Sequence, residues 1–388
     1  RNLSFSLWRD LWYLPDYVNK GPFDGSLISI YFTLNVFLNQ RHLIAALAIN
    51  LGVIFVFISF LFKNQKIPSW LLISLGIILG LSWGVHSLIF LSTVVVVFGL
   101  LVLFGQYAYL WPFLILAGLA SWPRLHSLLN QETSDIVSGF FHPGFLTPPP
   151  VTWFNFGKYW IANLGLLIIF VTLGFSWSNR QQRKVFLSFL PLFIIANTFK
   201  LSFRLEHNHS LLNYFLIVAN FYAAFALWRI WQKTRWGKIV TILSLGLLTM
   251  SGLINLMAVK NDFQYPVLDA PVSSLVQWIK DNTDKKAIFL ARQEIFDPVT
   301  LSGRRNYFGS TYYLSVMGYD FRQRERMVKT FFEANNHDIL NRMRGEGIDY
   351  MIIPVKPTVD FNFQPDMPFL EKNLTKVYQD QEVIVYKL

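Results

Sequence analysis

Several long stretches of the chain carry no Asp, Glu, Lys or Arg, among them those between Arg41 and Lys63, Lys66 and Arg124, Lys158 and Arg180, and Lys238 and Lys260. Each is long enough to cross a bilayer, which takes roughly 20 apolar residues. The pattern predicts about eight hydrophobic segments, near residues 43–62, 70–81, 86–105, 110–120, 160–177, 186–199, 211–228 and 239–257. Two regions break it. Residues 7–38 mix Trp8, Trp12, Tyr13 and Tyr31 with Asp10, Asp16 and Asp24, the composition of interfacial helices rather than a span. Residues 121–159 hold Pro143 and the run Pro148, Pro149, Pro150, through which a regular helix cannot pass.

Beyond residue 258 the pattern changes. A helix opened by Pro271 and running to Asn282 sets Leu275, Val276 and Ile279 on one face. Residues 287–290 and 350–353 read as short buried strands, and 322–334 and 338–344 as helices, the second ending at Gly345 and Gly347. Residues 376–378 and 383–386 flank 379–382 as a terminal hairpin. Strand and helix alternate, which predicts an α/β sheet. The expected organisation is a polytopic α-helical membrane protein with a C-terminal extracytoplasmic α/β domain: 1–42 outer interfacial helices and loop, 43–258 transmembrane helical domain, 259–388 soluble domain.

Charge gives this picture a direction. The formal net charge is +11, but from Val259 onward 17 basic and 17 acidic residues cancel. The excess therefore lies in the first 258 residues, 17 basic against 6 acidic, where it has a topological meaning and does not call for nucleic acid. The linkers 63–68, 179–184 and 229–238 carry two, three and four basic residues and no acidic one, which places them in the cytoplasm. An odd number of crossings, best three, then falls in the charge-free run 67–123. The loops 121–159 and 200–210 and the C-terminal domain face the other side. With no cysteine, disulfides and thiolate metal sites are excluded. The chain begins at Arg1, as expected of a fragment.

The densest polar cluster beside a span is Lys200, Arg204, Glu206, His207, Asn208 and His209. Arg204 offers a planar fork and Lys200 a point charge to a phosphate, with Glu206 or an imidazole as proton carrier; a solvated loop is the plainer alternative. The His207-x-His209 spacing permits a divalent metal, but no third ligand follows, so neither metal nor another cofactor is expected. His86 within the uncharged run is a substrate contact or a buried bundle histidine. Arg41 snorkels to headgroups or joins the site. In the outer domain Arg304, next to Gly303, either grips a ligand or forms an Arg–Asp pair between loops with the Gly318–Arg322 segment. No Walker loop, dinucleotide fingerprint, nucleophile elbow or zincin motif is present.

The order of several short motifs resembles the C-type glycosyltransferase superfamily: Asn39-Gln40-Arg41-His42 before a span, Gly80-Leu-Ser-Trp-Gly-Val-His86-Ser87 between two, Tyr159-Trp-Ile-Ala-Asn163-Leu-Gly165, and Ala196-Asn197-Thr-Phe-Lys200 followed by His207-Asn208-His209, with Ser302-Gly303-Arg304 in the tail. That resemblance implies a sugar donor carried on polyprenyl phosphate and a catalytic carboxylate in a first outer loop, expected upstream of Arg1. It also implies an acidic-Asn-His-Lys pattern in an outer loop, where this chain has His207, Asn208, His209 and Ser210. The function expected is transfer of a sugar from a polyprenyl-phosphate donor to an extracytoplasmic acceptor, with membrane lipid and the lipid-linked sugar as partners. A transporter or lipid flippase, and a non-catalytic envelope assembly protein, are the alternatives.

Overall fold

The computed structural model describes residues 9–10, 12–13, 41–129, 140–202, 205–261, 270–292, 297–316, 319–356 and 361–388. The chain divides into two units, the second running to the C-terminus from Gln264. The helical unit contains α1 (Arg41–Phe62), α2 (Ser69–Ser82), α3 (Ser87–Leu103), α4 (Tyr107–Leu129), α5 (Trp153–Leu164), α6 (Leu166–Trp177), α7 (Arg180–Ala196), a 3-10 turn (Leu205–Asn208), α8 (His209–Lys233) and α9 (Arg235–Asn261). Within α1, α8 and α9 lie three stretches long and apolar enough to cross a membrane. At 14 and 17 residues, α2 and α3 are shorter than the ~30 Å hydrocarbon core at 1.5 Å per residue. Three helices occupy the charge-free run 67–123.

Two expected segments change form. The stretch 160–177 is not one helix: it breaks at Gly165, whose φ of +50° favours glycine, and α5 and α6 meet at 87°. The stretch 110–120 belongs to α4, a 23-residue helix that extends past Pro123. The domain boundary expected at 259 falls inside α9, because the helix continues to Asn261 and its Lys260 ammonium lies 4.0 Å from the Trp12 ring. Of the interfacial region expected at 7–38, only residues around Arg9 and Tyr13 are described; the rest lies outside the described residues.

Small residues set how closely the helices pack. Gly76 and Gly80, four apart on α2, face α4: a Cβ at Gly76 would stand 2.7 Å from Leu116 Cβ, and one at Gly80 would meet the Ala117 carbonyl. Gly99 of α3 lies against Ser188 of α7, and Gly174 of α6 lies against the Tyr222 carbonyl of α8. In a medium as apolar as the side chains themselves, such backbone approach is the main source of helix association. α3 contacts α1, α2, α4, α7 and α8 and buries Val96, Val97, Leu100 and Leu101 completely. α9 lies at the periphery with Ile242, Leu243, Leu247 and Leu253 exposed, a face that suits hydrocarbon rather than water.

The second unit is built on a five-stranded sheet in the order β2-β1-β3-β5-β4, from β1 (Ile288–Leu290), β2 (Arg305–Asn306), β3 (Tyr350–Pro354), β4 (Thr375–Gln379) and β5 (Val383–Lys387). β1 pairs in parallel with β2 and β3, and β5 antiparallel with β3 and β4. Alternate strand residues serve two cores. Leu290, Met351, Ile353 and Tyr386 pack with α13 (Arg322–Phe332) and α14 (His337–Gly345), while Phe289, Tyr350, Ile352 and Val385 pack with α10 (Ser274–Asn282). Burial on both faces is why the strands read as apolar runs without alternation. α10 starts at an N-cap on Ser273, so Pro271 precedes the helix rather than opening it. α11 (Pro298–Leu301), α12 (Thr311–Val316) and α15 (Met367–Asn373) complete the unit.

Two tests follow from this packing. Gly80→Ala and Gly174→Ala each force a Cβ onto backbone and lower the stability of the detergent-solubilised chain by about 1–3 kcal/mol, whereas Gly246→Ala and Gly252→Ala, with open space around each site, leave it unchanged or raise it by up to about 1 kcal/mol. Equal thermal midpoints for all four would remove close helix approach as the organising contact. In the terminal hairpin, burial raises the Asp380 pKa, but hydrogen bonds from the Val383 and Glu382 N–H groups and the Tyr378 hydroxyl outweigh it and hold the carboxyl below its ordinary range. A depressed folded-state pKa contributes stability above the unfolded value, and that contribution is lost as pH falls through the folded one. Asp380→Asn therefore abolishes an acid-dependent loosening of the β4–β5 turn that amide exchange in the parent records at pH below about 4.

Candidate functional site at one end of the helical unit

The ends of the helical unit differ in kind. At one end the three basic linkers gather: the Gln181 amide donates to Phe62 O at 3.4 Å, the Arg229 guanidinium to Trp177 O at 3.3 Å, and the Lys184 and Lys233 ammonium groups lie over Phe104 and Trp177. α1, α3 and α8 run toward this end and α7 away from it. Their opposite ends bring together His42 in the first turn of α1, His86 just before α3, and His207 and His209 at the start of α8. The His42 and His86 rings stack with centroids 5.4 Å apart. His86 feels the charges of His42 and His207, and His209 those of His207 and His86, so the four imidazoles form one electrostatic group.

Backbone accounting explains how this loop is held. At the end of α7 the Lys200 N–H, which would continue the helix to Ala196 O, donates instead to Phe140 O at 2.8 Å. The Asn208 amide supplies the missing donor, reaching Ala196 O at 2.9 Å and Phe199 O at 2.6 Å, while its oxygen accepts from Leu201 N at 3.3 Å. Residues 140–144 lie beside 197–200 through His142 N to Thr198 O (2.9 Å) and Gly144 N to Asn197 O (2.7 Å). Trp160 Nε1 donates to Asn197 Oδ1 at 2.9 Å and ties α5 into the same end.

The residues expected to bind substrate now separate. Lys200, Glu206, His207 and His209 share this end with His86. Ser202 Oγ and His207 Nδ1 are 2.8 Å apart, Asn213 Nδ2 is 3.2 Å from His209 Nδ1, and His86 Nδ1 accepts from Ile89 N at 3.4 Å as the N-cap of α3. Asn208 is fully buried and both its amide protons donate to carbonyls, a structural use of the side chain. Arg304 is engaged within its own unit. Its guanidinium donates to Thr283 Oγ1 (3.0 Å), Ser302 O (3.1 Å), Lys280 O (2.7 Å) and Thr283 O (3.0 Å), closing the C-terminal end of α10 where carbonyls lack partners. The Asp320–Arg322 pair, at 3.6 Å, lies within one turn and does not join two loops. Arg204 and the Arg41 side chain lie outside the described residues.

His42 was not among the expected site residues; its signal was its place beside Arg41 at the start of a span. Among the described residues no group of three His, Asp or Glu side chains is placed to hold a metal ion. An apolar cavity of about 460 Å³ between α1, α7 and α8, lined in part by Ile54, Ile58, Gln182, Phe221 and Tyr222, lies toward the basic end and touches none of the histidines. Neither a protein-family model nor a curated protein matches the chain.

Asn208→Ala strands two carbonyls at about 1–3 kcal/mol each and lowers the thermal midpoint of the purified chain. Asn208→Asp is no milder, since a carboxylate turns acceptors toward acceptors. Unchanged midpoints would return Asn208 to the list of ligand contacts.

Proposed function

We propose that this chain is a polytopic membrane glycosyltransferase of the C type, taking a sugar from a polyprenyl-phosphate donor at the histidine-bearing end of its helical unit. The supporting observation is the gathering of Lys200, His42, His86, His207 and His209 at the end opposite the three basic linkers. With the basic end in the cytoplasm, this cluster meets the outer leaflet, where the phosphate of a lipid-linked sugar lies. Lys200 and Arg204 neutralise that phosphate, and the imidazoles, rich in donors and acceptors, hold the sugar hydroxyls. Glu206, the sole acidic residue in 197–210, is the candidate proton carrier. α9 ends at the same end, so the soluble unit follows on the outer side.

Transport is less well supported. The buried polar groups deeper in the bundle satisfy one another, Ser82 with Asn50 at 3.3 Å and Thr93 with Tyr214 at 3.0 Å. Neither pair opens a route for a polar solute.

The test is binding of a polyprenyl-phosphate analogue to the intact chain in detergent. Lys200→Ala and Arg204→Ala each remove a charge-assisted contact of roughly 1.5–3 kcal/mol, a loss of about 10- to 150-fold in affinity. Arg204→Lys recovers part of it, because an ammonium lacks the bidentate fork. Lys233→Ala, at the basic end, leaves affinity unchanged. Equal affinity across parent, Lys200→Ala and Arg204→Ala would remove the phosphate from this end.

A further inference from the structure

α5 has three faces, and only one of them is occupied. Toward the bundle it buries Tyr159 and Trp160. Trp153, Phe154, Gly157, Ile161 and Leu164 fall within about 100° of the helix circumference, and Trp153, Phe154 and Ile161 on that arc are 90%, 78% and 64% exposed. Asn155, Lys158 and Ala162 occupy the next arc, about 40° further round, with Lys158 exposed. A helix with a broad bare aromatic face beside a polar one does not belong in bulk water, where so large an apolar patch marks a contact surface.

The bend at Gly165 says which surface. α6 packs along the membrane-length helix α8 through Gly174 and Tyr222, and α5 leaves it at 87°. If α8 crosses the bilayer, α5 therefore lies in the membrane plane. The inner corner of the bend is an open recess of about 250 Å³ with almost wholly apolar walls, among them Trp160, Leu164, Ile168, Val171, Phe193 and Leu216. Trp160 and Leu164 border the bare face of α5, so that face and the recess open to the same side. They continue the exposed Ile168 and Ile169 of α6.

We infer that α5 and the corner beneath it are a lipid-binding surface: α5 lies flat at the bilayer interface, its Trp153–Phe154–Ile161 face down in acyl chains, Lys158 up among phosphates, and a lipid chain filling the recess. The aromatic and lysine content is that of interfacial anchors. The inference rests on the bilayer placement proposed above but not on sugar transfer.

The chain has no cysteine, so single labels report cleanly. Phe154→Cys, Lys158→Cys, Ile161→Cys and Ile169→Cys are spin-labelled in the full chain, reconstituted in nanodiscs of phosphatidylcholine and phosphatidylglycerol. Gly157→Cys, on the same face, stands in for any variant that does not purify as the parent does. Labels at 154 and 161 are expected to collide with oxygen several-fold more than with a water-soluble nickel chelate, and the label at 158 the reverse. Their depths should agree within a few ångströms; a helix along the bilayer normal would separate them by about 10 Å over seven residues. Nickel access at 154 and 161 with oxygen access at 169 overturns the inference alone, as does protection of 154 and 161 from both reagents, the mark of a protein cover. Nickel access at 169 as well overturns the bilayer placement itself.

Discussion

A helix that stops inside a bundle leaves its last carbonyls in need of donors, and where α7 gives way to the loop one side chain meets the two, Ala196 O and Phe199 O, that the local backbone does not reach. Asn208 donates to Ala196 O and Phe199 O from the far side of the loop and accepts from Leu201 N. Because Asn208 is also the last residue before α8, the same carboxamide joins the end of one helix to the start of the next. His207, His209 and Lys200 sit on backbone that this amide holds. A buried carbonyl left without a donor costs more than a made hydrogen bond returns, so the loop has few alternatives to this conformation.

The two ends of the helical unit solve the same problem differently. At the basic end the loose carbonyls of Phe62, Phe175, Ser176 and Trp177 are met by long flexible side chains, Gln181, Arg183 and Arg229, whose charges remain near solvent. At the histidine end they are met by short amides, Asn197 and Asn208, and by the strand-like residues 140–144. Short, buried partners fix geometry more tightly than long, exposed ones, because less rotamer freedom is left to them. The histidine end is therefore the more tightly determined of the two, and the cationic end is held by longer, more exposed side chains.

Part of the architecture was legible in the sequence because the absence of charge is a coarse and robust signal: each charge-free run is largely helical, although the run 159–179 is bent into two helices. The α/β tail was legible for the same reason in reverse, since Leu275, Val276 and Ile279 and the runs at 288–290 and 350–353 repeat at helix and strand periods. The bend at Gly165 was not, because one glycine in an apolar run is compatible with a straight helix, and only packing on Asn197 and Tyr222 decides otherwise. Residue type was visible throughout; residue role was not. Asn208 and Arg304 looked like ligands because they are polar and flanked by His or Gly, yet each is consumed by carbonyls from residues up to 24 positions away. His42 was not read as a site residue for the converse reason, since its partner His86 lies 44 residues on, across two helices and the segments that follow them.

The bend and the amide are parts of one arrangement. A straight continuation of α6 would carry 153–164 away from the end of α7; turned through 87°, α5 delivers Trp160 to Asn197 at 2.9 Å. Asn197 in turn donates to Phe193 O, and its own carbonyl receives Gly144, which brings residues 140–144 across the same end. The positive φ of Gly165 therefore acts at a distance, setting the wall beside which Lys200 and the histidines stand. Any alanine at 165 that straightened this corner would loosen that end of the unit while leaving α2 and α4 packed as before, because those two helices meet through Gly76 and Gly80, away from the corner.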